Sequence, residues 1–196
     1  MKKLLFTAAI AVLGFTSVNA QDEMTTVGGF EEGDVFVSGS VGFGNESFGE
    51  QSSNVFNFAP KAGLFVSDNI AVGVKAGFTS FSGDNDGVDT VDQNEYAVGA
   101  FGRYYFAPSN QFSLFTELGV DYTTGEDKLA DLEYDGFDIA FAPGISYFVS
   151  DNFSIEATLG VLSYETNKFD GADDSTNTFN VGLDFADINF GVVYKF

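Results

Sequence analysis

From Val35 onward, apolar side chains recur at every second position in eight successive segments, and this alternation limits the fold more than any other feature. The first segment sets Val35, Val37, Val41 and Phe43 on one side, with Ser38, Ser40 and Gly42 on the other. The second shares a face among Phe56, Phe58, Pro60, Ala62, Leu64 and Val66, and the third among Ile70, Val72, Val74, Ala76 and Phe78. The next four are led by Tyr96, Phe112, Phe137 and Phe153, the seventh setting Phe153, Ile155, Ala157, Leu159 and Val161 on one face, and the last holds Ile188, Phe190, Val192, Tyr194 and Phe196. A period of two places successive side chains on opposite faces of a strand, so each segment predicts a strand with one apolar face. None of these apolar faces carries a charge; Lys61, Lys75, Glu95, Arg103, Glu117, Asp121, Asp138, Glu156 and Lys195 fall on the opposite faces. At about nine to thirteen residues, such strands can cross a bilayer at a tilt.

The connections alternate in kind. Ser67-Asp68-Asn69, Pro108-Ser109-Asn110 and Ser150-Asp151-Asn152 are short, whereas longer acidic loops are expected near 44–54, 83–93, 125–134 and 165–177. The segments FAPKAGLFVSDN (58–69) and FAPGISYFVSDN (141–152) repeat one strand-and-turn unit, with a partial copy, FAPSN, at 106–110. Pro60 and Pro143 within the repeat cannot donate to a ladder, so each is expected to mark a bulge or a missing bond. The order is that of an up-and-down meander with all short turns at one end.

Alternation alone leaves open which face is buried. Apolar-in describes a soluble, lipocalin-like carrier, and apolar-out a transmembrane barrel. The aromatic residues of the apolar face favour the second, because they gather at two heights. Tyr104, Phe106, Phe112, Tyr147, Phe153, Tyr194 and Phe196 lie near the short turns, and Phe43, Phe56, Phe78, Tyr96, Tyr122 and Phe137 near the long loops. Two aromatic girdles around an aliphatic band suit the two interfaces of a membrane.

Outside the strands, the N-terminus reads as an export signal. Lys2 and Lys3 precede an apolar run of twelve residues, and Val18 and Ala20 suit a signal-peptidase site. The expected organisation is therefore a signal peptide at 1–20, a short extension at 21–33 and a barrel domain at 34–196. With no cysteine, no disulfide framework is available, and a formal charge of −21 argues against nucleic acid as a partner.

The ending Phe190-Gly191-Val192-Val193-Tyr194-Lys195-Phe196 resembles the C-terminal assembly signal of bacterial outer-membrane barrels, with Phe190, Val192, Tyr194 and Phe196 at its alternate positions. The whole of 35–196 is similar to the small outer-membrane barrel family. That resemblance implies an all-β, eight-stranded antiparallel up-and-down transmembrane barrel in a bacterial outer membrane. It further implies outer-membrane lipids and, during biogenesis, the barrel-assembly machinery as partners, with a monomer as the working state. Larger relatives carry a peptidoglycan-binding domain after the barrel, which is not expected here. One departure is a phase slip near Ala186-Asp187: Phe179, Val181, Leu183 and Phe185 alternate on odd numbers and the following residues on even ones. It reads as a bulge in one long strand or as a hairpin rising above the membrane.

Candidate chemistry is sparse. Lys61, Lys75, Arg103, Glu117 and Glu156 fall near mid-strand on the inner faces and are expected to share the lumen as an ionic cluster, in which opposite charges should pair. Asp84-Asn85-Asp86-Gly87-Val88-Asp89 looks like part of a calcium loop, but Gln93 stands where a bidentate Glu would be needed, so it reads as an acidic solvated loop. The chain has no histidine, which removes the usual base of hydrolases on this architecture. Neither a catalytic site nor a cofactor is expected. The sequence supports a non-enzymatic structural or adhesin-like surface protein, a narrow or gated porin-like channel, or the soluble carrier, and does not name a ligand.

Overall fold

The computed structural model describes residues 27–182 and 188–196. The expected signal peptide and the slip at Ala186-Asp187 lie outside the described residues. Among the described residues, ten strands form one antiparallel sheet: β1 (Val35–Phe48), β2 (Gln51–Phe65), β3 (Ile70–Asn85), β4 (Val88–Tyr105), β5 (Phe112–Asp127), β6 (Leu132–Phe148), β7 (Phe153–Leu159), β8 (Leu162–Phe169), β9 (Thr176–Val181) and β10 (Ile188–Lys195). Strands β7 and β8 are two parts of one barrel stave, and β9 and β10 two parts of the next. The barrel thus has eight staves. Each of β1 to β6 pairs with its sequence neighbours, β6 pairs with β7, β7 with β10, and β10 closes on β1 through Phe36–Gly39 and Val192–Lys195.

The apolar face points outward. Val41, Phe43, Val74, Val98, Leu118, Phe137 and Phe190 are all exposed. A soluble carrier would bury these side chains, so that reading is set aside. Aromatic contacts run between neighbouring strands at both predicted girdles. Phe78 lies 6.2 Å from Phe56 and 5.1 Å from Tyr96 near the long-hairpin end, and Tyr194 lies 4.9 Å from Phe153 near the short turns.

Three expectations need correction. First, β1 to β6 are longer than nine to thirteen residues, running from 14 in β1 to 18 in β4. Polar stretches read as acidic loops continue the ladder instead. Gln51–Asn85 is paired along nearly its whole length, and the segment resembling a calcium loop is a hairpin turning at Asp86 and Gly87. Both residues have positive φ, 55° and 76°, which a two-residue turn with right-handed strand twist requires and which Asp-Gly accommodates. Second, the seventh segment does not keep one phase through Val161. Gly144 faces Thr158 but Phe141 faces Leu162, so stave seven holds one extra residue opposite Ala142-Pro143. This bulge brings Leu162 and Tyr164 to the outer face. Pro60 interrupts pairing as well: the β2–β3 ladder passes from Phe58↔Phe78 to Lys61↔Lys75 without a shift. Third, the inner face is not uniformly polar. Phe36, Phe65, Phe101, Tyr105, Phe115 and Phe148 point inward near the short turns and are almost wholly buried.

Candidate functional site

The lumen has two layers. At the short-turn end, four inward aromatics surround a fifth, Phe30, supplied by the segment preceding β1, while Phe101 packs behind Phe36 and Phe115 behind Tyr105. Its ring stands 4.6 Å from Phe65, 4.8 Å from Phe148, 5.4 Å from Tyr105 and 5.6 Å from Phe36. These side chains close the barrel floor.

Above the floor lies the ionic network. The β4–β5 register sets Arg103 directly opposite Glu117, and the short spacing between paired strands brings the two heads together. Arg103 Nε donates to Glu117 Oε2 at 2.6 Å, while Nη1 donates to Glu156 Oε2 at 2.8 Å and to the Tyr105 hydroxyl at 2.9 Å. The Tyr105 hydroxyl donates in turn to Glu156 Oε1 at 3.2 Å. Lys61 Nζ completes the group with a 2.6 Å bond to Glu117 Oε1. The guanidinium also sits 4.5 Å from the Phe115 ring and 5.2 Å from that of Phe101. A cation packed between rings keeps part of its stabilisation where water is excluded.

Of the five expected lumen residues, Lys61, Arg103, Glu117 and Glu156 meet in this one network. Lys75 does not join it. It pairs with Asp121 at 2.5 Å, on the side towards the long hairpins. Tyr105 and Asp121 had not been assigned to the cluster. Tyr105 sits two residues from Arg103 and so shares its face, but it lies beside lipid-facing Tyr104 and Phe106 in a continuous aromatic run. The cations come from β2, β3 and β4, and the anions pairing with them from β5 and β7. On the same inner face, Asp121 stands opposite Asp138, and Asp138 opposite Glu165. A cavity of about 240 Å³ rests on the network, lined in part by Ser38, Ser40, Lys61, Arg103, Glu156 and Thr158.

Each ionisable group in these pairs is engaged by another residue of the chain. The arrangement therefore works as a set of braces that tie adjacent strands, as in Arg103–Glu117, and strands two or three apart, as in Lys75–Asp121 and Arg103–Glu156. Buried charges of one sign would be prohibitive, whereas paired and hydrogen-bonded ones are tolerated.

Residues 8–196 match the family described as outer membrane protein beta-barrel domain. The chain belongs to this family. Its fold is similar to that of Neisserial surface protein A, with a TM-score of 0.52 and 17% identity over 83% of this chain and 97% of that one. It is also similar to the outer membrane protein OprG from Pseudomonas aeruginosa, with a TM-score of 0.53 and 16% identity over 86% and 98%. No curated protein matches the chain. Family membership accounts for the outward apolar belt: the barrel spans a bacterial outer membrane, with lipid against the side chains that water would otherwise meet.

Proposed function

We propose that this protein is a non-enzymatic outer-membrane barrel whose lumen is closed and whose work is done by the acidic hairpins above the membrane. The observation carrying this reading is the filled lumen: the Phe30 floor and the Arg103 network occupy successive layers. Eight-stranded barrels have an interior that side chains can fill, so a closed lumen is the physical default.

The hairpins extend past the outer aromatic girdle and bear Glu46, Glu50, Asp84, Asp86, Asp89 and Asp92 on β1 to β4 and the turns between them. Lys128 reaches Asp92 at 3.1 Å and ties the β5–β6 hairpin to its neighbour. Such a crown suits a structural or adhesin-like role towards a cationic surface partner. On this reading the protein is a monomer. Phe190, Val192, Tyr194 and Phe196 on β10 and the terminal residue form the strand read by the barrel-assembly machinery.

The competing reading is a narrow or gated small-solute channel, favoured by the cavity above the network. Planar-bilayer recording separates the two. The closed-lumen reading expects no steady current in the folded protein, and a sustained open-channel current would overturn it.

A further inference from the structure

Phe30 is held as a bound ligand would be. Its cage is built from β1, β2, β4 and β6 through Phe36, Phe65, Tyr105 and Phe148, each anchored by its own ladder. The segment that delivers Phe30 lies outside the ladders. It is fastened by a few bonds: Phe30 N–H to Pro108 O at 2.7 Å, Gly33 N–H to Phe65 O at 2.9 Å, Phe65 N–H to Asp34 O at 2.9 Å, and Lys195 Nζ to Gly29 O at 2.7 Å. Lys195 also pairs with Asp34 at 3.3 Å.

Glycines shape the approach. Gly28, Gly29 and Gly33 have φ of 72°, 129° and 92°, conformations that side chains disfavour. A Cβ on Gly29 would lie 2.6 Å from the Ser109 carbonyl oxygen, a backbone atom that cannot swing aside. A Cβ on Gly28 would run into the Phe148 ring. The two glycines thus let the chain pass between the 108–110 turn and Phe148 before Phe30 enters the cage.

We propose that residues 27–34 are a detachable plug, bound in cis to an aromatic cage at the short-turn mouth. When vacated, this cage binds an extended peptide that presents an aromatic side chain after two glycines and an acidic group within reach of Lys195. This site lies at the opposite end of the barrel from the acidic hairpins and does not depend on their role. In outer-membrane barrels the short-turn end faces the periplasm, so a trans ligand would be a periplasmic polypeptide segment.

Two measurements in detergent micelles test this. In the unaltered protein, the amides of Phe30 and Gly33 should exchange together, faster than ladder amides of β2 and β6, because the plug opens without the barrel unfolding. Exchange as slow as that of the ladders would overturn detachment. A chain lacking residues 27–33, shown to be folded by its heat-dependent gel migration, should bind an acetylated and amidated VGGFEEGD peptide carrying a fluorine-labelled Phe. The same peptide with Ala for Phe should bind at least about tenfold more weakly, as loss of a caged ring implies. The unaltered protein should bind the labelled peptide more weakly by the factor that exchange gives for plug opening, since only the open fraction is competent. Equal binding by the two proteins, no binding by the shortened chain, or failure of that chain to fold would each overturn the proposal. Gly29→Ala offers an independent check: it should accelerate exchange at Phe30 while leaving β2 and β6 protected, and unchanged exchange would count against the plug.

Discussion

Replacing Arg103 with Met tests the cross-brace directly. The substitution preserves much of the side-chain volume between Phe101 and Phe115 but removes the donor to two carboxylates. Glu117 keeps Lys61 at 2.6 Å, whereas Glu156 keeps only the Tyr105 hydroxyl at 3.2 Å. One buried carboxylate is therefore left without a cation, and breaking a buried pair in this way costs about 3–5 kcal/mol. With a urea dependence of about 2 kcal/mol per molar, the unfolding midpoint should fall by roughly 2 M. The assay is urea titration in lipid vesicles, read by gel mobility of unheated samples, under conditions where unfolding and refolding curves coincide. Adding Glu156→Gln to Arg103→Met removes the uncompensated charge and should restore about half of the loss. A midpoint unchanged by Arg103→Met would refute the bracing argument. A double variant no more stable than the single one would show that the loss arises from packing rather than charge.

Three further outcomes follow from other parts of the structure. Deleting Phe196 should lower the amount of folded protein in the outer membrane without altering export, as measured by fractionation and heat-shifted migration; undiminished folded protein would remove its role as an assembly signal. Lys75→Met leaves Asp121 facing Asp138 without its cation, so it should lower the urea midpoint, but by less than Arg103→Met because Asp121 is less buried than Glu156; an equal or larger fall would refute that ranking. In the β5–β6 hairpin, the hydrogen bond from Gln93, joined by the Ala130 and Leu129 amides, holds the Asp127 carboxyl below its ordinary value. Because the folded value is the lower one, the bonds give their full support above the ordinary carboxylate range and lose it as pH falls through the lowered value. NMR shifts of the Leu129 and Ala130 amides should titrate below that ordinary range, and a midpoint at or above it would contradict the geometry.

The outward belt was legible in the sequence because one face of each strand is free of charge. Alternation puts Val72, Val74 and Val98 on that face, and the aromatic residues gathered at its two ends turn it towards lipid. The aromatic floor was not legible for a related reason. Phe36 lies between Val35 and Val37, and Phe65 between Leu64 and Val66, so an inward aromatic vanishes into an unbroken apolar run. Only knowledge that the barrel interior narrows to side-chain width makes such a residue a floor. Phe30 was harder still, since it stands alone among Gly and Glu. The hairpins were misread as loops because Ser52, Ser53, Asn54 and Asp84 have turn-forming chemistry, while their pairing comes from long-range register. Within the candidate site, position along the strand and face place Lys61, Arg103, Glu117 and Glu156 near one another, and hydrogen bonds join them in the structure. Lys75 parted from them because it lies opposite Lys61 in the register, where like charges must find separate partners.

Among the described residues, three of the four ion pairs of the lumen join strands that are not neighbours in the sheet: Lys61 on β2 to Glu117 on β5, Lys75 on β3 to Asp121 on β5, and Arg103 on β4 to Glu156 on β7. The ladders tie each strand only to the next, so by themselves they would let the cylinder flatten through small changes at every seam. Chords fixed across the interior resist that flattening, because a buried pair is costly to part. The lumen charges thus act as spokes that hold the cross-section of the barrel in shape.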